Sequence, residues 1–286
     1  MNQITKKKDR LYPSLLKKIP DAPAVLFSKG NYQKDIFKET LAVVGSRRMT
    51  SYGKRVTEEI VGAVAEQGIS IVSGFMYGID VTAHQAALRA RGKTIAVLPC
   101  GINIIHPSYQ KDIYNEIVTK GLILSEYEGD HPPDKWTYPR RNRIVVGLAK
   151  IVLIIEAGEE SGSLITAKLA LKYKRKLLSV PGSIFSPVSK GTNELIKRKL
   201  AEPILSAKDV LSFFSKKDNR LYFEKRKGLT KEEQSILNIL KGEAIGADKI
   251  AARLEKSISE INSILSFLEI KGLVKQEGLK YFLVQN

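Results

Sequence analysis

Apolar residues along the chain fall into two alternating patterns. Continuous runs at Leu41-Ala42-Val43-Val44, Ile69 to Ser73, Thr94 to Leu98, Leu122 to Ser125, Ile151 to Glu156 and Lys176 to Val180 have the length and β-branched content of strands buried on both faces. Between them, about Ser51 to Gln67, Asp80 to Ala90, Tyr109 to Thr119, Ser163 to Tyr173 and Thr192 to Lys199 read as helices. Strands alternating with helices imply right-handed crossovers and a mostly parallel sheet covered on both faces. The expected fold class is α/β, a Rossmann-like doubly wound sheet with a small C-terminal winged-helix domain.

Residues 1–40 read as a lead-in that packs on this core, with Leu11, Leu15, Leu16 and Ile19 at helical spacing before Pro20 and a short strand at Ala24 to Phe27. The Rossmann-like domain spans 41–211. Residues 212–229 are a basic linker containing Lys216, Lys217, Arg220, Lys225, Arg226 and Lys227. From Thr230, with Glu233 three residues on as a capping pair, three short helices carry Ile236, Leu237, Leu240, then Ile250, Leu254, then Ile258, Ile261, Ile264, Leu265, Leu268. A hairpin over 273–283 closes this 230–286 domain, the order of a winged helix.

In an open parallel sheet ligands sit at the carboxyl ends of the strands. The loops there contain Gly45-Ser46-Arg47, Ser73-Gly74, Pro99-Cys100-Gly101, Ala157-Gly158 through Glu159-Glu160-Ser161-Gly162, and Pro181-Gly182-Ser183. Each glycine alone marks a tight turn. Five such loops on one rim allow backbone N–H groups and helix N-termini to approach an anion.

The stretch Tyr138-Pro139-Arg140-Arg141-Asn142-Arg143-Ile144 sharpens that picture. An average charge run is a solvated helix face. Here Pro139 suits a helix start, Asn142 is embedded among the arginines, and an aromatic precedes them. Arginine presents a rigid fork of donors matched to phosphate oxygens, so the stretch reads as an anion grip.

Composition supports a polyanionic partner. The chain has 286 residues, 43% of them hydrophobic, with 47 Lys+Arg against 30 Asp+Glu and a net charge of +17, a balance that favours nucleic acid through counterion release. Residues 230–286 hold eight basic and eight acidic residues, so the excess positive charge lies entirely in 1–229. The third helix carries Glu260 and Glu269, which argues against duplex readout and for a protein-contact or regulatory module. The single Cys100 follows an apolar run and reads as a buried thiol in a reducing compartment. His84, His106 and His131 lack metal-ligand spacing, so neither metal nor cofactor is expected. Neither a signal-type h-region nor a run of about 18 apolar residues occurs, so the expectation is a cytoplasmic protein without a membrane anchor. Gly92-Lys93-Thr94 lacks the first glycine of a P-loop and precedes a strand, and the first strand is not followed by G-x-G-x-x-G, which leaves ATP hydrolysis and dinucleotide binding unsupported.

Taken together, Leu41 to Arg47, Val72-Ser73-Gly74 with Gly78-Ile79-Asp80 and Ala83-His84, Ser125-Glu126-Tyr127, Tyr138 to Ile144, Glu156-Ala157 with Ser161-Gly162-Ser163, and Val180-Pro181-Gly182 with Gly191-Thr192-Asn193 resemble the DprA/Smf DNA-processing family over roughly residues 10–210. The resemblance implies a non-enzymatic protein that binds single-stranded DNA, protects it and promotes loading of the RecA recombinase in natural transformation, commonly as a homodimer through the Rossmann-like domain. By motif position it implies that Arg47 grips a phosphate, that Lys135 and Tyr138 meet backbone and base, and that Arg140, Arg141 and Arg143 line the same basic pocket. Gly45, Ser46, Ser73, Gly74, Asn142, Ser161 and Gly162 complete the implied DNA-binding set. Tyr77 stands where the family usually has arginine, and His106 where a tyrosine or similar residue precedes the proline.

A reading from another class is a Rossmann-like hydrolase acting on nucleoside monophosphates. Such enzymes use a Gly-Gly-x-Gly-Thr turn backed by a glutamate, whereas Ala157 to Ser163 lacks that turn. Glu156 or Glu159 would be the acid; the alternative role for Glu156 is to orient an arginine.

Overall fold

The computed structural model describes residues 3–214 and 230–284, which divide into two compact units, Met1–Phe214 and Ser215–Asn286. Among the described residues the first unit holds strands β1 (Gln3–Lys6), β2 (Val25–Gly30), β3 (Thr40–Gly45), β4 (Ser70–Ser73), β5 (Thr94–Val97), β6 (Leu122–Ser125), β7 (Ile151–Ile155), β8 (Lys176–Ser179) and β9 (Glu202–Pro203). They form one sheet in the order β1-β2-β6-β5-β4-β3-β7-β8-β9. The pairs β1 with β2 and β2 with β6 are antiparallel; every other pair is parallel.

Helices α1 (Ser14–Lys17), α2 (Ser51–Glu66), α3 (Ile79–Arg89), α4 (Lys111–Lys120), α5 (Thr137–Leu148), α6 (Gly162–Lys172), α7 (Lys190–Lys197) and α8 (Ala207–Ser212) surround it. The continuous apolar runs are explained by two-sided burial. Along β3, Ala42 and Val44 pack with α5 and α6, while Leu41 and Val43 pack with α2 and α3. A strand covered on both faces has no polar side to show.

From β3 the chain proceeds outward through β4, β5 and β6, then returns across the sheet by α5 to β7 on the other flank. The strand order therefore reverses between β3 and β7, the place where an open sheet parts its loops and forms a crevice. The arginine stretch lies on this returning helix.

Some elements differ from the sequence expectation. The helical spacing of Leu11 to Ile19 yields only the single turn α1, because Pro13 and Pro20 bracket it. Residues 3–6 form an unpredicted edge strand, which needs little apolar character since Ile4 and Lys6 are exposed there and Thr5 is the buried position between them. Helix α8 was hidden because its capping box uses Ser206 and Asp209 in place of the more usual Glu or Gln. Ser212, expected in the linker, ends that helix; residues 215–229 lie outside the described residues.

The second unit contains α9 (Lys231–Gly242), α10 (Ala247–Leu254), α11 (Ile258–Ile270) and the antiparallel pair β10 (Val274–Glu277) and β11 (Lys280–Leu283), a winged helix. Thr230 and Glu233 form the expected capping box. Ile236, Leu237, Leu240, Ile250, Ile261, Leu265, Leu268 and Val274 make its core. Ile258, counted with the apolar set, is exposed at the first position of α11.

Candidate nucleic-acid interface

The turn after β3 is shaped by close backbone approach. A Cβ on Gly45 would lie 1.8 Å from the Ile155 carbonyl oxygen, so only glycine lets β3 and β7 end side by side. Beyond it, Ser46 turns inward: its Oγ accepts the Arg48 amide at 3.0 Å and its carbonyl accepts the Ile79 amide at 3.2 Å. Gly78, at φ +83°, presses against that same carbonyl, where a Cβ would come within 2.3 Å. The loops after β3 and β4 are thus interlocked, and Arg47 is left exposed on the outside of the turn.

Arg47 does not stand alone. Its Cζ lies 5.2 Å from the ring centroid of Tyr138 and 5.8 Å from that of Tyr77, cation–π distances. The Tyr138 hydroxyl is 2.7 Å from His106 Nε2. Burial, reinforced by the Arg47 charge, holds the His106 pKa below its ordinary value, which keeps the imidazole neutral beside the phenol at neutral pH. Arg47, Tyr77, His106 and Tyr138 therefore form one cluster joining three strand-end loops to the start of α5. Tyr77 meets Arg47 and His106 holds Tyr138 within it.

The arginine stretch divides. Arg140 is exposed, whereas Arg141 and Arg143 are 4% and 8% exposed. Arg141 points into the sheet end, where its Nη1 donates to the carbonyls of Gly74 and Val97 and its Nε donates to Asn142 Oδ1 at 3.1 Å. Those carbonyls lie at the ends of β4 and β5, and the guanidinium donates to both. Burial pushes the Arg141 pKa down to about 10, so it remains a cation at neutral pH. Burial likewise raises the Asp80 pKa, against the lowering influence of Arg141. Arg143 donates to Glu126 and, at 2.6 Å, to the Asp21 carbonyl.

The expected site residues divide between surface and interior. Arg141 and Arg143 are enclosed and committed to protein acceptors, so neither lines a surface pocket. Ser73 is fully buried with its Oγ donating to the Val43 carbonyl at 2.6 Å. Gly74 is buried against Arg141, where a Cβ would fall 2.4 Å from the guanidinium, and Asn142 is half-buried as the Arg141 acceptor. Ser161 caps α6, 2.7 Å from Ser163 Oγ, with Gly162 exposed beside it; both lie on the β7 side of the crevice. Arg47, Lys135, Tyr138 and Arg140 present surface to solvent on the β3 and α5 side.

Glu126 was visible in the sequence only as part of a motif. It is the shared counter-ion, bonded to Arg143 and 3.3 Å from Arg140 Nε. Glu156, at φ +55°, accepts the Thr50 amide at 2.9 Å and the Thr50 hydroxyl, tying the β7 loop to the start of α2. It lines a cleft of about 510 Å³ with Thr50, Tyr52, Pro181, Gly182, Ser183, Ser186 and Ser189, a hydroxyl-rich lining without lysine or arginine. Trp136, at the N-cap of α5, was passed over in the sequence; its signal was its place between Lys135 and Tyr138. Among the described residues there is neither a cluster able to hold a metal ion nor a helix long and apolar enough to cross a membrane.

Comparison with known proteins is consistent with this geometry. Residues 3–215 match the family described as DNA recombination-mediator protein A, and residues 224–278 match the DprA winged helix domain. The chain is similar to DNA processing protein DprA of Bacillus subtilis (strain 168), 39% identical over 199 residues, covering 70% of this chain and 67% of that protein. The X-ray structure of DNA processing protein A from Streptococcus pneumoniae aligns with a TM-score of 0.70 at 40% identity, over 73% of each chain. A structure of DNA processing protein A from Helicobacter pylori, described for its unique single-stranded DNA binding mode, aligns with a TM-score of 0.67 at 33% identity, over 74% of this chain and 95% of that one.

Proposed function

The chain belongs to the DNA recombination-mediator protein A family, and from that membership we propose that it binds single-stranded DNA at the rim formed by the β3 turn and the start of α5. Arg47, Lys135 and Arg140 meet phosphates there and the Tyr138 ring stacks on a base. The observation that carries this reading is the Arg47–Tyr138 pair, an exposed cation lying over a half-buried aromatic at a turn whose backbone is locked from behind. Cations that track the backbone beside a ring that accepts any base are what sequence-tolerant single-strand binding requires. Gly45, Ser46, Ser73, Gly74, Arg141, Asn142 and Arg143 serve the site from beneath, by shaping the turn and closing the ends of β4 and β5.

In this reading the protein is a cytoplasmic, non-enzymatic mediator. It protects incoming single strands and promotes their loading with RecA in natural transformation, acting as a homodimer through the Rossmann-like domain, with the winged helix contacting a protein partner. The net charge of zero over 230–286 supports that last assignment, because duplex binding draws most of its affinity from phosphate neutralisation. The hydrolase reading finds less support: the crevice carboxylate Glu156 already accepts two bonds from Thr50, and the surrounding cleft offers a phosphate no cationic side chain.

The test is fluorescence anisotropy with labelled oligo-dT and a matching duplex over a salt series, for wild type and for Arg47→Glu/Arg140→Glu. Single-strand binding that falls steeply with salt and collapses in the variant is expected; weak binding that ignores both changes would overturn the assignment.

A further inference from the structure

The start of α5 carries a second aromatic group. Trp136, the only tryptophan of the chain, meets Tyr127 with ring centroids 6.0 Å apart and planes at 80°, and His131 at 6.3 Å and 66°. Tyr127 and His131 stack on each other at 4.6 Å and 14°. The Arg140 guanidinium carbon lies 5.7 Å from the Trp136 centroid, and Glu126 holds Arg140 in place. An indole braced on two rings has little rotamer freedom left to lose on binding. Yet 47% of Trp136 is exposed. Packing accounts for the part of the ring against Tyr127 and His131; it does not account for a large apolar area left in water beside a guanidinium.

We infer that Trp136 is a second base-stacking platform, with Arg140 taking the adjoining phosphate. This rests on the single-strand reading and extends its footprint. Trp136 and Tyr138 belong to separate clusters, one built with Tyr127, His131 and Arg140, the other with Tyr77, His106 and Arg47. Two positions apart at a helix start, they are turned by about 200° from each other, so they receive different bases of a strand that crosses the end of α5. The ligand is an unpaired polynucleotide with its bases splayed; a duplex, whose bases are stacked internally, gains nothing from the second ring.

Because Trp136 is the only tryptophan, its emission reports the contact directly. Oligo-dT is titrated into the full chain while tryptophan emission and the anisotropy of a labelled strand are both followed. Emission is expected to be quenched over the same concentration range in which anisotropy rises, Trp136→Ala to weaken binding by about 5- to 100-fold, and Trp136→Phe to retain most of it. The Trp136→Phe variant and a thermal melt of Trp136→Ala guard against a folding defect. Unchanged emission at saturation, with Trp136→Ala binding as wild type, would overturn the platform while leaving the single-strand reading intact. Failure of wild type to bind oligo-dT would remove that underlying reading and the platform with it.

Discussion

The guanidinium of Arg47 lies 5.2 Å from the ring of Tyr138, joining the turn after β3 to the first turn of α5. Neither residue could be placed there by local structure alone. Arg47 is pushed outward because Ser46 and Gly78 consume the inner side of the turn, and Tyr138 is held by His106. The pair presents charge and a π-face together, the combination on which the proposed single-strand contact rests.

Tyr138→Phe keeps the ring and loses only the His106 contact, so its single-strand affinity is expected to stay near wild type. Tyr138→Ala removes the face and is expected to cost about 1–3 kcal/mol of binding, to similar extents for oligo-dT and oligo-dA. Anisotropy titrations at one salt concentration measure both. An alanine variant that binds as well as wild type would remove Tyr138 from the interface.

Adjacent arginines are expected to behave in opposite ways. Arg141→Met leaves the buried carbonyls of Gly74 and Val97 without their donor, each costing about 1–3 kcal/mol, so its urea midpoint falls well below wild type. Arg140→Glu leaves that midpoint nearly unchanged, as exposed charges contribute about 1 kcal/mol or less, and instead weakens single-strand binding. If Arg141→Met melts normally and binds poorly, the buried assignment of Arg141 is wrong.

Glu156 is assigned a structural role. Its carboxylate accepts two bonds from Thr50, whereas the amide of Glu156→Gln offers one oxygen and turns a donor towards a donor. A loss of about 1–3 kcal/mol in stability is expected. Wild type incubated with nucleoside monophosphates is expected to release no free base by chromatography; release that Glu156→Gln abolishes would reinstate the hydrolase.

The first unit is expected to lose stability in mild acid through His84. This side chain is fully buried, its Nδ1 is 2.7 Å from Thr94 Oγ1, and burial, aided by Arg141, pushes its pKa down to about 3 from 6.5. The unfolded chain takes up the proton first, so the contribution is fully present above about pH 6.5 and declines as pH falls towards 3. Asp80, raised by burial, works in the opposite sense and offsets part of the loss at the acid end. Urea melts between pH 7.5 and 5 are expected to show a slope that His84→Asn flattens; equal slopes in both proteins would refute the assignment.

Much of the fold was legible because strands buried on both faces must be apolar throughout. Leu41 to Val44 and Ile151 to Ile155 could hardly be anything else, and alternation with helices then placed their following loops on one rim. Short edge elements escaped: β1 buries little, and α8 starts from a capping box with aspartate in the third position. At the site, Arg47 and Tyr138 could be named from motifs, but Trp136 carried no motif, and the roles of Ser73 and Gly74 depend on contacts with Val43 and Arg141 that lie far away in sequence.

The division among the arginines marks the boundary between the two kinds of information. Sequence alone determined that a cluster of fixed positive charge meets a helix start within an alternating α/β chain, since composition and hydrophobic period are properties of the chain itself; that this helix returns across the sheet from β6 to β7 came only with the topology. Which arginine faces water was decided only by tertiary structure. Successive residues turn by about 100° around a helix, so Arg140, Arg141 and Arg143 point in different directions. The packing of α5 against the ends of β4 and β5 sends Arg141 to the carbonyls of Gly74 and Val97, gives Arg143 to Glu126, and leaves Arg140 at the surface.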